Sequence, residues 1–155
     1  MMPFKKNDKQ LADKIERYCA YQERCRQDVR IKLKQIGADD SEIESLISRL
    51  EENGFINESR YAKAFARDKF NLHRWGKIKI GIALQGKNVP QKLIDESLAE
   101  IEDAEYRNEL KVLLKKKGKE LSDLENDFVR KNRLASYLIG KGFEPDIVWD
   151  LINER

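Results

Sequence analysis

The chain has 155 residues, 38% of them charged and 40% apolar, with a formal net charge of only +3. That supplies enough apolar side chain for one ordinary domain or a few very small units, and it argues against disorder. The apolar runs are too short to span a bilayer, and the opening MMPFKKNDKQ has no apolar signal core, so a cytoplasmic protein is expected.

Residues 1–9 read as a polar tail. From there the apolar residues recur at spacings of three and four, the mark of amphipathic helices. Leu11, Ile15, Tyr18 and Cys19 form the first stripe. Val29, Leu33 and Ile36 form the second, and Ile43, Leu46, Ile47 and Leu50 the third. Tyr61, Ala64, Phe65 and Leu72 form a fourth. The punctuation agrees: Gly37 suits a left-handed helix stop, Asp39 and Glu42 a capping box, and Asn57 an N-cap. Strict two-residue alternation occurs only in KIKIGI, 77–82; it is short and holds a glycine, so a helix is expected there too. Cys19 and Cys25 are the only cysteines and have one histidine for company. They read as free, reduced thiols rather than a metal site, which needs about four ligands.

The chain repeats itself. VRIKLKQIGADDSEIESLI (29–47), IGIALQGKNVPQKLIDESL (80–98) and LASYLIGKGFEPDIVWDLI (134–152) align without gaps. Val29 falls on Ile80 and Leu134, Leu33 on Leu84 and Leu138, and Ile43 on Ile94 and Val148. Gly37 falls on Asn88 and Gly142, two residue types that reach positive φ at low cost. Each copy is a helix, a tight turn and a helix, and a further helix follows the first two copies, at 57–71 and 103–117. The expected fold is therefore all-α: a tandem array of three-helix, helix-turn-helix-like units, the first preceded by an N-terminal helix. The boundaries expected are 10–72 for the first repeat with its leading helix, 73–120 for the second and 121–155 for the third.

The register disposes of one attractive motif. GIALQGKN, 81–88, nearly spells a phosphate-binding loop. Such a loop must follow a strand and open a helix, so that free N–H groups face the phosphates. In the repeat frame this stretch closes a helix and presents carbonyls. No nucleotide, metal or other cofactor is expected, and no spacing of titratable residues points to catalysis.

Charge is sorted along the chain. Residues 60–79 hold seven bases and one acid, interleaved with Phe70, His73 and Trp75; 39–59 and 95–109 each hold seven acids and one base. A second basic run covers Lys111, Lys115, Lys116, Lys117 and Lys119, with Arg130, Lys131 and Arg133 behind it. Such a stripe is either solvated surface or a face for nucleic-acid backbone or an acidic protein groove. Trp75 reads as core or as part of that face. The acidic stretches would repel naked DNA and point to a protein partner as well.

The stretch RLEENGFINESRYAKAFARDKFNLHRWGKIKI, 49–80, resembles the signature of the RecX family, regulators of the RecA recombinase. Gly54, Phe55, Ile56, Asn57, Glu58, Arg60, Tyr61, Ala62, Phe65, Arg67, Gly76 and Ile80 fill the family pattern, and the closing LIGKGFEPDIVWDLI is similar as well. Cys25 stands where the family often has a Ser or Thr cap, and Trp75 and Lys77–Ile78 replace the commoner Gly and Gly-Pro. The resemblance implies a curved, elongated monomer lying in the groove of the RecA filament on single- or double-stranded DNA. There it would inhibit the recombinase, ATPase and coprotease functions of RecA, with no enzymatic activity of its own. The contact residues expected are Arg60, Arg67, Lys69, Arg74, Trp75, Lys77 and Lys79. A helix-turn-helix-like transcription or architectural factor is the alternative that the same hairpins and basic stripe allow.

Overall fold

The structure is a computed structural model that describes residues 6–154. All regular structure among them is helical: α1 (Lys6–Tyr21), α2 (Arg26–Gln35), α3 (Asp40–Glu52), α4 (Glu58–Asn71), α5 (Lys77–Gly86), α6 (Gln91–Ala99), α7 (Asp103–Glu120), α8 (Asp127–Gly140) and α9 (Pro145–Asn153). No helix among the described residues is long and apolar enough to cross a membrane. Residues 1–5 of the polar tail lie outside the described residues, and from Lys6 onward the tail is already the start of α1.

The three hairpins, α2–α3, α5–α6 and α8–α9, are built alike down to single hydrogen bonds. Gly37, Asn88 and Gly142 take φ values of 97°, 58° and 100°. The next residue donates its N–H to the carbonyl five back in every copy: Ala38 to Leu33 (2.9 Å), Val89 to Leu84 (3.2 Å) and Phe143 to Leu138 (3.2 Å). This is the left-handed stop that closes a helix through a residue tolerant of positive φ. Leu33, Leu84 and Leu138 are each fully buried, as are Ile43, Ile94 and Val148. KIKIGI is helical, in α5, because this register buries Ile80 and Leu84 and leaves Ile78 and Ile82 exposed.

Local chemistry starts the helices. Asp39 accepts from the Glu42 N–H (2.9 Å) while Glu42 accepts from the Asp39 N–H (3.2 Å). Asn57 accepts from the Arg60 N–H and Asn126 from the Val129 N–H. Cys25 does the same for α2 with sulfur: its Sγ accepts from the Asp28 N–H at 3.4 Å, and Asp28 reciprocates. A thiol is a weak acceptor, but this one gains from being buried.

The helices pack as three bundles, α1–α3, α4–α6 and α7–α9, and every pair with extensive contact lies within one of them. Helix 57–71, read from the sequence as the close of the first unit, thus packs as the leading helix of the second, and α7 leads the third. The buried face of α4 also differs from the expected stripe. Tyr61, Ala62, Ala66 and Phe70 are buried, whereas Phe65 is half-buried and Leu72 is exposed. The small Ala62 and Ala66 let α6 approach α4 closely, a role that apolar size alone does not reveal. Within the bundles the core divides in two. Leu11, Ile15, Val29, Leu33, Ile43 and their neighbours make one cluster in the first unit. A second cluster runs without a break through α4–α9 and includes Cys25, which leans from the first unit onto it.

Both cysteines are free and buried, and burial pushes each thiol up to about 11. Since the thiolate is the reactive form, a thiol reagent at mildly alkaline pH is expected to label Cys19 and Cys25 only as fast as the native chain opens, and at once in denaturant. Immediate labelling of the folded protein would contradict the burial described.

Candidate functional site

The basic segment is shaped by the exit of α4. The helix ends at Asn71, so Arg74 does not continue the face of Arg67. It sits instead at φ 57° in the connecting loop. The loop closes with the Arg74 N–H donating to Phe70 O and the Trp75 N–H to Lys69 O, both at 3.0 Å. That turns Trp75 back onto the core edge, where it is half-buried. Gly76 follows, buried, as the N-cap of α5.

Here α5 meets the third unit through main chain. The Gly76 N–H donates to Lys141 O (2.8 Å) and the Ile78 N–H to Gly142 O (3.0 Å). The Lys77 N–H donates to the Tyr106 hydroxyl at 3.0 Å, and that hydroxyl donates in turn to the Glu144 carboxylate. The Tyr106 ring lies 5.7 Å from Phe70 and 5.3 Å from Phe143, and joins the cores of the two units. Burial and the adjacent Glu144 carboxylate push its phenol far above the usual tyrosine range. The Lys77 and Ile78 N–H groups that open α5 are thus committed to the fold rather than free for an anion.

The seven expected contact residues fall into distinct settings. Arg60 is a tie between units: its Nε donates to Glu23 and its guanidinium donates to Gly54 O at 3.0 Å. Arg67 lines a cleft of about 330 Å³ with Lys63, Phe70, Ser97, Glu100 and Glu105. Lys69 faces the other way, into a cleft of about 630 Å³ that includes Tyr18, Tyr61, Phe65, Leu72 and His73. Arg74 Nη1 is 3.1 Å from Glu109 Oε1, a buried oxygen with no well-directed hydrogen bond. Lys77 lies 4.8 Å from the Tyr106 ring centroid. Lys69 and Lys79 are brought together by Trp75, with their ammonium groups 4.7 and 4.5 Å from its ring centroid. His73 stacks obliquely on the same ring, 6.4 Å away.

The charge sorting seen in the sequence is partly internal pairing. Lys63 reaches Glu100 at 3.2 Å, Arg74 reaches Glu109, and Lys87 reaches Asp28 at 2.9 Å. Lys87 is the lysine of GIALQGKN, and its partner and its place after the last turn of α5 are those of a helix stop. Among the described residues, Arg67, Lys69, Lys77 and Lys79 have no carboxylate in ion-pair reach. Lys141, which the sequence reading passed over, completes the group. Burial, and then the nearby positive charges of Lys79 and Arg74, lower its pKa. Its Nζ donates to His73 O at 3.4 Å. No local signal marked it, since it is brought to Lys79 by the contact between two units.

Three three-helix-domain models match in the order of the three bundles: "RecX, first three-helix domain" at 13–50, "RecX, second three-helix domain" at 57–98 and "RecX, third three-helix domain" at 104–152. The chain belongs to the RecX family. It is 32% identical over 127 residues to the Regulatory protein RecX of Clostridium botulinum (strain Eklund 17B / Type B), covering 81% of this chain and 59% of that one. It is 28% identical over 137 residues to the Regulatory protein RecX of Prosthecochloris aestuarii, covering 88% and 87%. The chain thus spans about three-fifths of the length of the Clostridium botulinum relative and most of the other. The crystal structure of RecX from Lactobacillus salivarius superposes with a TM-score of 0.85 at 24% identity, covering 94% of this chain and 93% of that one. A second RecX crystal structure gives 0.86 at 22% identity, covering 96% and 72%. At those identities the likeness carries the fold. The RecX family is one of regulatory proteins.

Proposed function

We propose that this chain binds the RecA filament on DNA and inhibits its recombinase, ATPase and coprotease activities, acting as a monomer in the cytoplasm and without catalysis of its own. The observation that carries the reading is the grouping of Lys69, Lys79 and Lys141 around Trp75 and His73, in a chain of the RecX family. Unpaired lysines beside a half-buried aromatic offer phosphate neutralisation and an apolar contact together, which suits a partner made of both DNA and protein. Arg67, Arg74 and Lys77 flank this group and are proposed contacts. Arg60 contributes by holding the second unit against the first.

The test is RecA on single-stranded DNA with ATP hydrolysis followed over time. Added protein is expected to stop hydrolysis at amounts well below those that coat the DNA. The helix-turn-helix factor would instead bind duplex without RecA, with log affinity falling about 0.9 per phosphate contact against log salt, and would leave hydrolysis unchanged until the DNA is covered. Unchanged hydrolysis at saturating protein would reject the proposal.

A further inference from the structure

The third unit repeats the arrangement around Trp75. Tyr137, on the exposed face of α8, has Lys117 Nζ 4.7 Å and Lys141 Nζ 5.9 Å from its ring centroid. Lys117 also pairs with Glu120 at 3.0 Å, so one acid borders this side. Lys141 belongs to both arrangements, because the same ammonium that faces Tyr137 bonds to the His73 carbonyl, and the His73 ring lies 6.4 Å from Trp75. The half-buried Trp75 ring and the partly exposed Tyr137 ring, each with two lysines, are thus linked across the seam between units by Lys141, which lies at Tyr137 and bonds to the His73 carbonyl two residues before Trp75.

We propose that Trp75 and Tyr137, with Lys69, Lys79, Lys141 and Lys117, form one continuous track for single-stranded nucleic acid, in which bases stack on the two rings and the lysines take the phosphates. The chemistry favours a single strand over a duplex. A ring can stack only on a base whose face is free, and in a duplex the faces are occupied by neighbouring bases. A stacked base also gains more than an exposed ammonium over a ring does, so strand entry releases the lysines from the rings to the backbone. This inference rests on the basic face being a nucleic-acid face, but it requires no RecA.

The experiment titrates an oligothymidylate and a duplex of equal length into the Trp149→Phe chain, where Trp75 is the sole tryptophan, and follows its emission. Labelled-oligonucleotide anisotropy on the chain with both tryptophans supplies an independent affinity. Oligothymidylate is expected to quench Trp75. Tyr137→Ala is expected to weaken oligothymidylate binding by about ten-fold and duplex binding by far less, Tyr137→Phe neither, with circular dichroism unchanged. The track is overturned if folded Tyr137→Ala binds oligothymidylate as the parent does, or if single strand and duplex lose equally, which would mean phosphate contact alone. The RecA assay fails separately: inhibition by wild type alongside normal binding by Tyr137→Ala removes only the track, and quenching without inhibition removes only the RecA reading.

Discussion

Gly76→Ala is expected to unfold the seam between the second and third units. A Cβ at Gly76 would lie 2.2 Å from Gly142 C, 2.3 Å from Gly142 O and 2.3 Å from Phe143 N, all main-chain atoms. No side chain can swing aside to relieve that contact, so α5 must move off the α8–α9 turn. The move breaks the hydrogen bonds from Gly76 to Lys141 and from Ile78 to Gly142 and loosens the Phe70–Tyr106–Phe143 cluster. Two hydrogen bonds at about 1 kcal/mol each, plus the packing lost around them, put the cost at roughly 3–5 kcal/mol. For a chain of this size that lowers the melting temperature by about 6–20 degrees. Gly142→Val meets the same seam from the other side: its Cβ would sit 2.3 Å from Lys79 Cβ, and a β-branched residue is strained at φ 100°. Gly86→Ala is the control, since nothing lies within 4 Å of the added carbon. Calorimetry giving Gly76→Ala the melting temperature of wild type would mean the seam is not as described.

The second large effect concerns regulation. The double reversal Lys69→Glu with Lys79→Glu is expected to remove inhibition of RecA ATP hydrolysis, raising the protein concentration required by about 100-fold or more, while helical content and melting are kept. Charge-assisted contacts are worth about 1.5–3 kcal/mol each, and reversal adds repulsion to their loss. These two lysines are the right targets because cation–π contacts to the half-buried Trp75 ring, at about 0.5–1 kcal/mol, tie them to the fold without any ion pair among the described residues. Arg74→Glu would instead set a second carboxylate against the buried oxygen of Glu109, and reversal at Lys77 would place one beside the Tyr106–Glu144 pair. Either would disturb the fold and blur the outcome. A folded Lys69→Glu, Lys79→Glu protein that inhibits at the wild-type concentration would remove this surface from the proposal.

What the sequence made legible was what is local. Gly37, Asn88 and Gly142 each close a helix within six residues, so type and spacing fixed the hairpin register correctly, and the caps at Asp39 and Asn57 follow the same logic. The buried face of α4 departs from its apolar spacing because Ala62 and Ala66 owe their burial to the approach of another helix. The buried position of Gly76 depends on Gly142, far along the chain, and the value of Lys141 depends on Lys79 and Tyr137 in the same way. Three of the seven bases in the stripe are paired: Arg60 with Glu23 in the loop before α2, and Lys63 and Arg74 with Glu100 and Glu109 of the acidic stretch that follows.

The two seams between units differ in kind. The second and third units share one apolar core and main-chain hydrogen bonds, and none of that weakens with salt. The first meets the second through Arg60–Glu23, Arg26–Glu58, Lys87–Asp28 and the leaning Cys25. These pairs keep their basic partners in solvent, and ion pairs open to water contribute about 0–1 kcal/mol each and are screened by electrolyte. Mechanical compliance is therefore concentrated at one place in the chain. Rising salt is thus expected to loosen the first unit as a hinged block while the other two keep their mutual span, with the buried Cys25 as the pivot that limits the swing.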